Sequence, residues 1–77
     1  MIEHQPEQQR FVLSKDGHEC VLEYAINGSD IDFTRTYVPF ALRGQGLAEE
    51  LVKAGLAWAD QQHYRKHASC WYVEKFL

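Results

Sequence analysis

The run Arg43-Gly44-Gln45-Gly46-Leu47-Ala48 carries the clearest hint of chemistry in this sequence. It follows a segment with strand character and precedes one with helix character. The first N–H groups of a helix have no partner within it, and the helix dipole adds partial positive charge at that end. Glycine lets an anionic oxygen approach the backbone without meeting a Cβ. Arg43 adds a fixed charge on a planar donor fork. Consecutive amides, a glycine pair and a guanidinium together suit a pyrophosphate. The same glycines equally suit a plain strand-to-helix connection. Two familiar phosphate motifs do not fit: no lysine follows Gly46 as a P-loop requires, and Glu49 stands where a dinucleotide-binding motif places its third glycine.

Other reactive side chains are scattered. Cys70 is either a reactive thiol or a small buried residue, and Lys66 and His67, nearby in sequence, could lower its pKa if the fold brings them to it. The spacing of Tyr72 fits the apolar face of a C-terminal helix. Glu23 could act as a base through water or be a solvated strand residue. Arg35 shares its expected strand face with Phe33 and Tyr37, where it reaches a ligand channel or packs on the rings. His63 and His67 have i, i+4 spacing but straddle an expected turn, so no metal site is expected. His4 and His18 fall in segments expected to be exposed, and Cys20 is expected in the core.

These residues need a scaffold. Arg10–Lys15 alternates and reads as a strand, with Asp16-Gly17 as a hairpin turn. Glu19–Ile26 is a second strand, with Cys20, Leu22, Tyr24 and Ile26 on one face. Asn27-Gly28 supplies a second tight turn. Asp30–Val38 is a third strand, placing Ile31, Phe33, Arg35 and Tyr37 opposite Asp32, Thr34, Thr36 and Val38; Pro39 ends it. From Leu47 to about Gln62 the apolar period becomes helical, with Glu49 and Glu50 in the first turn. Gly55 falls on the apolar face and predicts close packing on the sheet. Lys66–Cys70 forms a fourth strand parallel to the third, and Trp71 onward begins a second helix. Residues 1–10, polar and rich in Gln, read as a frayed lead-in. The expected fold class is α+β, in the order β-β-β-α-β-α: an antiparallel three-stranded meander plus a fourth strand parallel to the third, in one domain over 1–77.

The totals narrow the functional class. The chain has 77 residues, 45% hydrophobic and 25% charged, so it reads as one globular domain rather than a disordered segment. A net charge of −3 argues against a nucleic-acid module. No apolar run approaches a membrane span, and the N-terminus lacks signal-peptide character. A cytoplasmic location with two reduced thiols is the expectation.

The whole segment resembles the acetyl-CoA motif of the GNAT N-acetyltransferase superfamily: Gln or Arg, two free positions, Gly, one free position, then Gly or Ala. Arg43, Gly46 and Ala48 occupy the defined places. Over nearly the whole chain the sequence resembles the very small YjdJ-like GNAT domains. The matching pieces are Thr36-Tyr37-Val38-Pro39, Leu42 to Ala48, and Cys70-Trp71-Tyr72-Val73. Arg35 departs from the pattern, standing where a His is common.

The resemblance implies transfer of an acetyl group from acetyl-CoA to an amine, either a protein lysine or a small amine, with the amine attacking the acetyl group directly and CoA thiolate leaving. The pyrophosphate would rest on Arg43, Gly44, Gln45, Gly46, Leu47 and Ala48. The pantetheine arm would run along the third strand near Tyr37 and Val38, where the third and fourth strands splay, and the Val38 amide would polarise the thioester carbonyl. Cys70 would lie near the thioester, and Tyr72 is a candidate acid. The alternatives are a non-catalytic CoA-binding module and a small interaction protein whose glycine loop is only a turn.

Overall fold

Period-two alternation places Phe11 and Leu13 on one side of the first long strand, and both are buried. The computed structural model describes residues 2–77. Strands β1 (Ile2–Gln5), β2 (Arg10–Lys15), β3 (His18–Asn27) and β4 (Asp30–Tyr37) precede helix α1 (Leu47–Gln61). Strand β5 (Arg65–Ala68) and the single turn α2 (Trp71–Glu74) follow. The five strands form one sheet in sequence order. The β1/β2, β2/β3 and β3/β4 pairs are antiparallel, and β4/β5 is parallel through the α1 crossover. The expected α+β fold is therefore the one observed, with one more strand.

That strand corrects the reading of residues 1–10 as a frayed lead-in; Met1 lies outside the described residues. β1 pairs Ile2 with Leu13 and His4 with Phe11. His4 stacks on Phe11 at a centroid distance of 4.1 Å, and its Nε2 is 2.6 Å from the Tyr24 hydroxyl. His4 is therefore half-buried rather than exposed. A 3-10 turn at Pro6–Gln8, closed by Gln9 in the left-handed region, returns the chain into β2.

α1 covers one face of the sheet. Leu51, Val52 and Ala59 pack with Leu22, Ile31 and Phe33, all fully buried. Burying each large side chain contributes about 1.5–3 kcal/mol. Gly55 lets the helix sit close, since an added Cβ would lie 2.7 Å from Leu22 Cδ2 and 3.1 Å from Phe33 Cε1. The C-terminal helix is shorter than the apolar pattern suggests. α2 ends at Glu74, and the chain continues as a turn with Phe76 N donating to Val73 O.

One irregularity reorganises the third expected strand. The β3/β4 register shifts between Glu23 and Tyr24: Tyr24 pairs with Phe33, but Glu23 pairs with Arg35. Thr34 is thus an extra residue in β4, a bulge that reverses the alternation beyond it. Thr36, paired with the buried Leu22, turns toward the helix side. Arg35 and Tyr37 turn away from it, which corrects their expected sharing of a face with Phe33.

Candidate functional site

β4 leaves the sheet at Tyr37, and Pro39 starts a 3-10 turn at Phe40–Leu42 that leads into the glycine loop. Gly44 has φ +83° and Gly46 has φ +75°, conformations that L side chains rarely adopt. Nothing in the chain lies within 4 Å of where a Cβ would stand on either. Gly46 is the residue preceding α1, and no side chain caps this helix end. The loop therefore leaves helix-terminal amides without a side-chain cap beside open space.

That space is a cleft of about 340 Å³. Thr36, Tyr37 and Val38 form one wall, Arg43, Gly44 and Gly46 another, and Leu47, Ala48 and Tyr72 border the rest. Of the residues expected to hold the cofactor, seven line this cleft. The eighth, Gln45, turns its side chain to accept a hydrogen bond from Lys15 Nζ at 2.5 Å. Arg43 Nε donates to Val38 O at 3.1 Å, which braces the loop against the strand end.

The bulge and the end of the parallel pairing coincide. The β4/β5 register runs from Asp30↔Arg65 to Phe33↔Ala68, and Cys70 N donates to Phe33 O at 3.1 Å. Beyond that bond β5 has no further pairing with β4. An open strand edge of this kind can accept an extended, amide-bearing chain.

Cys70 is half-buried at the inner end of this gap. Its Sγ is 3.6 Å from Thr36 Oγ1, and Thr36 lines the cleft. Burial pushes the thiol pKa up, but the surroundings outweigh it and hold it below its ordinary value. The backbone at Val73 leads these opposing effects, followed by the Thr36 hydroxyl and the backbone at Tyr72 and Thr36. Lys66 and His67 are not the cause. Lys66 bonds Asp60 and His67 bonds Asp30. Cys20 behaves as a core residue, fully buried with its pKa raised by burial.

The other candidates stand apart. Glu23 pairs with Arg35 at 2.9 Å, and the Arg35 guanidinium lies 5.3 Å from the Tyr37 ring centroid. Both therefore belong to the sheet face opposite α1 rather than to a channel under it. His63 is exposed in the turn after α1 with φ +63°. Among the described residues no group of three or more His, Cys, Asp or Glu is placed to hold a metal ion. A second hollow, of about 440 Å³, is bordered by Asp30, Asp32, His67 and Ser69. Its polar groups satisfy one another: Asp32 accepts from Ser69 N and Oγ, and the hydrogen bond to His67, with Arg65 beside it, holds the Asp30 carboxyl below its usual range. Sequence reasoning missed Thr36 as the neighbour of Cys70, because parity without the bulge sends it to the wrong face. It also missed Lys15, which is 30 residues from its loop partner.

Residues 10–77 match the sequence model of a family described as GCN5-related N-acetyl-transferase. Protein NATD1 of Bos taurus is 38% identical, over 99% of this chain and 70% of its own length. The Homo sapiens protein of the same name is 35% identical over 99% of this chain and 70% of its own. The Xenopus tropicalis one is 33% identical over 99% and 72%. Among the described residues no helix is long and apolar enough to cross a membrane.

Proposed function

This chain belongs to the GCN5-related N-acetyltransferase family, and from that premise we propose that it transfers an acetyl group from acetyl-CoA to an amine through Cys70. The observation that carries this reading is the position of Cys70: a thiol of lowered pKa 3.6 Å from the hydroxyl of Thr36, which lines the cleft that the glycine loop borders.

The residues of this chain would act as follows. Arg43 and the amides from Gly44 to Ala48 bind the pyrophosphate, with the α1 dipole behind them. The end of β4 at Tyr37 and Val38 aligns the pantetheine amides. The Cys70 thiolate attacks the thioester carbonyl carbon, and the resulting oxyanion is held by the Val38 amide. The C–S bond to CoA breaks, and the CoA thiolate leaves with a proton from solvent or from Tyr72, which borders the same cleft. A neutral amine then attacks the acetyl-cysteine, loses a proton, and releases Cys70 as the thiolate.

Incubation with labelled acetyl-CoA and a pooled amine library tests this. Protein-dependent label on an amine is expected, with activity lost in Cys70→Ala. Calorimetry showing no CoA binding at millimolar concentration would remove the cofactor reading altogether. CoA binding without any transfer would leave a CoA-binding module.

A further inference from the structure

The chain carries eight Lys and Arg residues and a net charge of −3. Among the described residues, four of the eight are engaged by carboxylates: Arg35 by Glu23, Lys53 by Glu49, Arg65 by Asp30 and Lys66 by Asp60. Arg10 bonds the Gln5 amide across the first hairpin. The remaining three gather around one place. Arg43 is in the glycine loop, Lys75 lies 4.7 Å from the ring centroid of Tyr72 on the cleft wall, and Lys15 is bonded to Gln45 within the loop. An acidic chain thus leaves the charge of these cations uncompensated by carboxylates, among the described residues, around the glycine loop and the cleft it borders.

Lys15 is the least expected of the three. It is the last residue of β2 and shares the parity of Phe11 and Leu13, so it points to the helix side, past the edge of the core. The β2/β3 hairpin, closed by the Lys15↔His18 pair, ends beside the loop that leads into α1. Its partner Gln45 is a neutral amide, which orients the ammonium without cancelling its charge. One of its three N–H donors is used, and two remain.

Acetyl-CoA presents two kinds of phosphate: the pyrophosphate and a ribose 3′-monophosphate. Arg43 and the loop amides account for the first. We propose that Lys15, held by Gln45, binds the 3′-phosphate and makes the site selective for CoA over its 3′-dephospho form. This rests on the cofactor reading above and adds a residue that the loop motif does not contain.

Calorimetric titration of the whole chain with CoA and with 3′-dephospho-CoA, at low and at moderate salt, tests the assignment. The wild type is expected to bind CoA about tenfold more tightly than the dephospho form, as one charge-assisted contact implies. Lys15→Met is expected to remove that difference by weakening CoA alone, and Lys15→Arg to restore most of it. The preference is expected to shrink as salt rises. Circular dichroism checks that each variant is folded; Lys15 is exposed, so no loss of fold is expected. Equal affinity of the wild type for both nucleotides, or an equal loss for both in Lys15→Met, would overturn the assignment while leaving the cofactor reading intact. Binding of neither nucleotide to the wild type would overturn both.

Discussion

Thr36 Oγ1 lies 3.6 Å from Cys70 Sγ, and the two meet because Thr34 is an extra residue in β4. Without the bulge, Thr36 would face away from the helix. With it, the hydroxyl reaches the thiol across the gap where β4 and β5 part. One irregularity in one strand therefore sets both the opening and the group at its end.

Cys70 is accordingly expected to be alkylated by iodoacetamide with a pH midpoint below its ordinary pKa of 9.0, while buried Cys20 resists. Peptide mass spectrometry across a pH series reads both sites. Thr36→Val should move the Cys70 profile up in pH. An unchanged profile would mean that the hydroxyl does not act on the thiol.

Gly46→Ala tests the loop. A side chain at φ +75° costs about 1–2 kcal/mol. For a domain of this size, each kcal/mol lowers the Tm by about 4–8 °C. The new Cβ meets nothing in the chain, so it projects into open space beside the cleft. CoA affinity should fall in a protein that remains folded at 25 °C. Full affinity would show that the loop backbone is not approached by the ligand.

Gly55→Ala tests the packing of α1 on the sheet. The added Cβ would meet Leu22 Cδ2 at 2.7 Å, inside a fully buried layer. Overpacking costs about 1–3 kcal/mol, and the better helix propensity of alanine returns up to ~1. The expected net loss is about 1–2 kcal/mol, read as a lower urea midpoint with an unchanged m value.

His4 predicts an acid-sensitive N-terminal strand. Burial holds its pKa below 6.5, and its Nε2 shares a hydrogen bond with the Tyr24 hydroxyl. The unfolded chain binds this proton at a higher pH than the folded chain does. Stability should therefore fall as pH drops below 6.5 and level off once the folded imidazole is also protonated. Urea midpoints measured across mildly alkaline to acidic buffers should show this slope in the range where an imidazole titrates. His4→Phe should flatten that part of the profile.

Much of this arrangement was legible in the residues. Alternation located β2, β3 and the first half of β4, and the change of period located α1. Gly44 and Gly46 signalled a backbone that only glycine adopts easily. β1 was hidden because Ile2 and His4 are its only core-facing residues, set among Glu and Gln. The bulge was hidden because neither Gly nor Pro marks Thr34, so the faces of Arg35, Thr36 and Tyr37 were inverted. Lys15 was hidden because its meaning comes from a partner brought close only by the folded hairpin. The acceptor has no signature of its own, since an amine can be taken up by an open cleft without a dedicated charge.

Intact-mass spectrometry of the chain mixed with acetyl-CoA, before and after addition of the pooled amines, tests the central claim most directly. The prediction is one acetyl adduct on wild-type protein, mapped to Cys70, absent in Cys70→Ala, and discharged when amines are added. An unmodified chain beside acetyl-CoA that is consumed at the same rate by Cys70→Ala would contradict transfer through Cys70, and acetyl-CoA that is never consumed would contradict transfer itself.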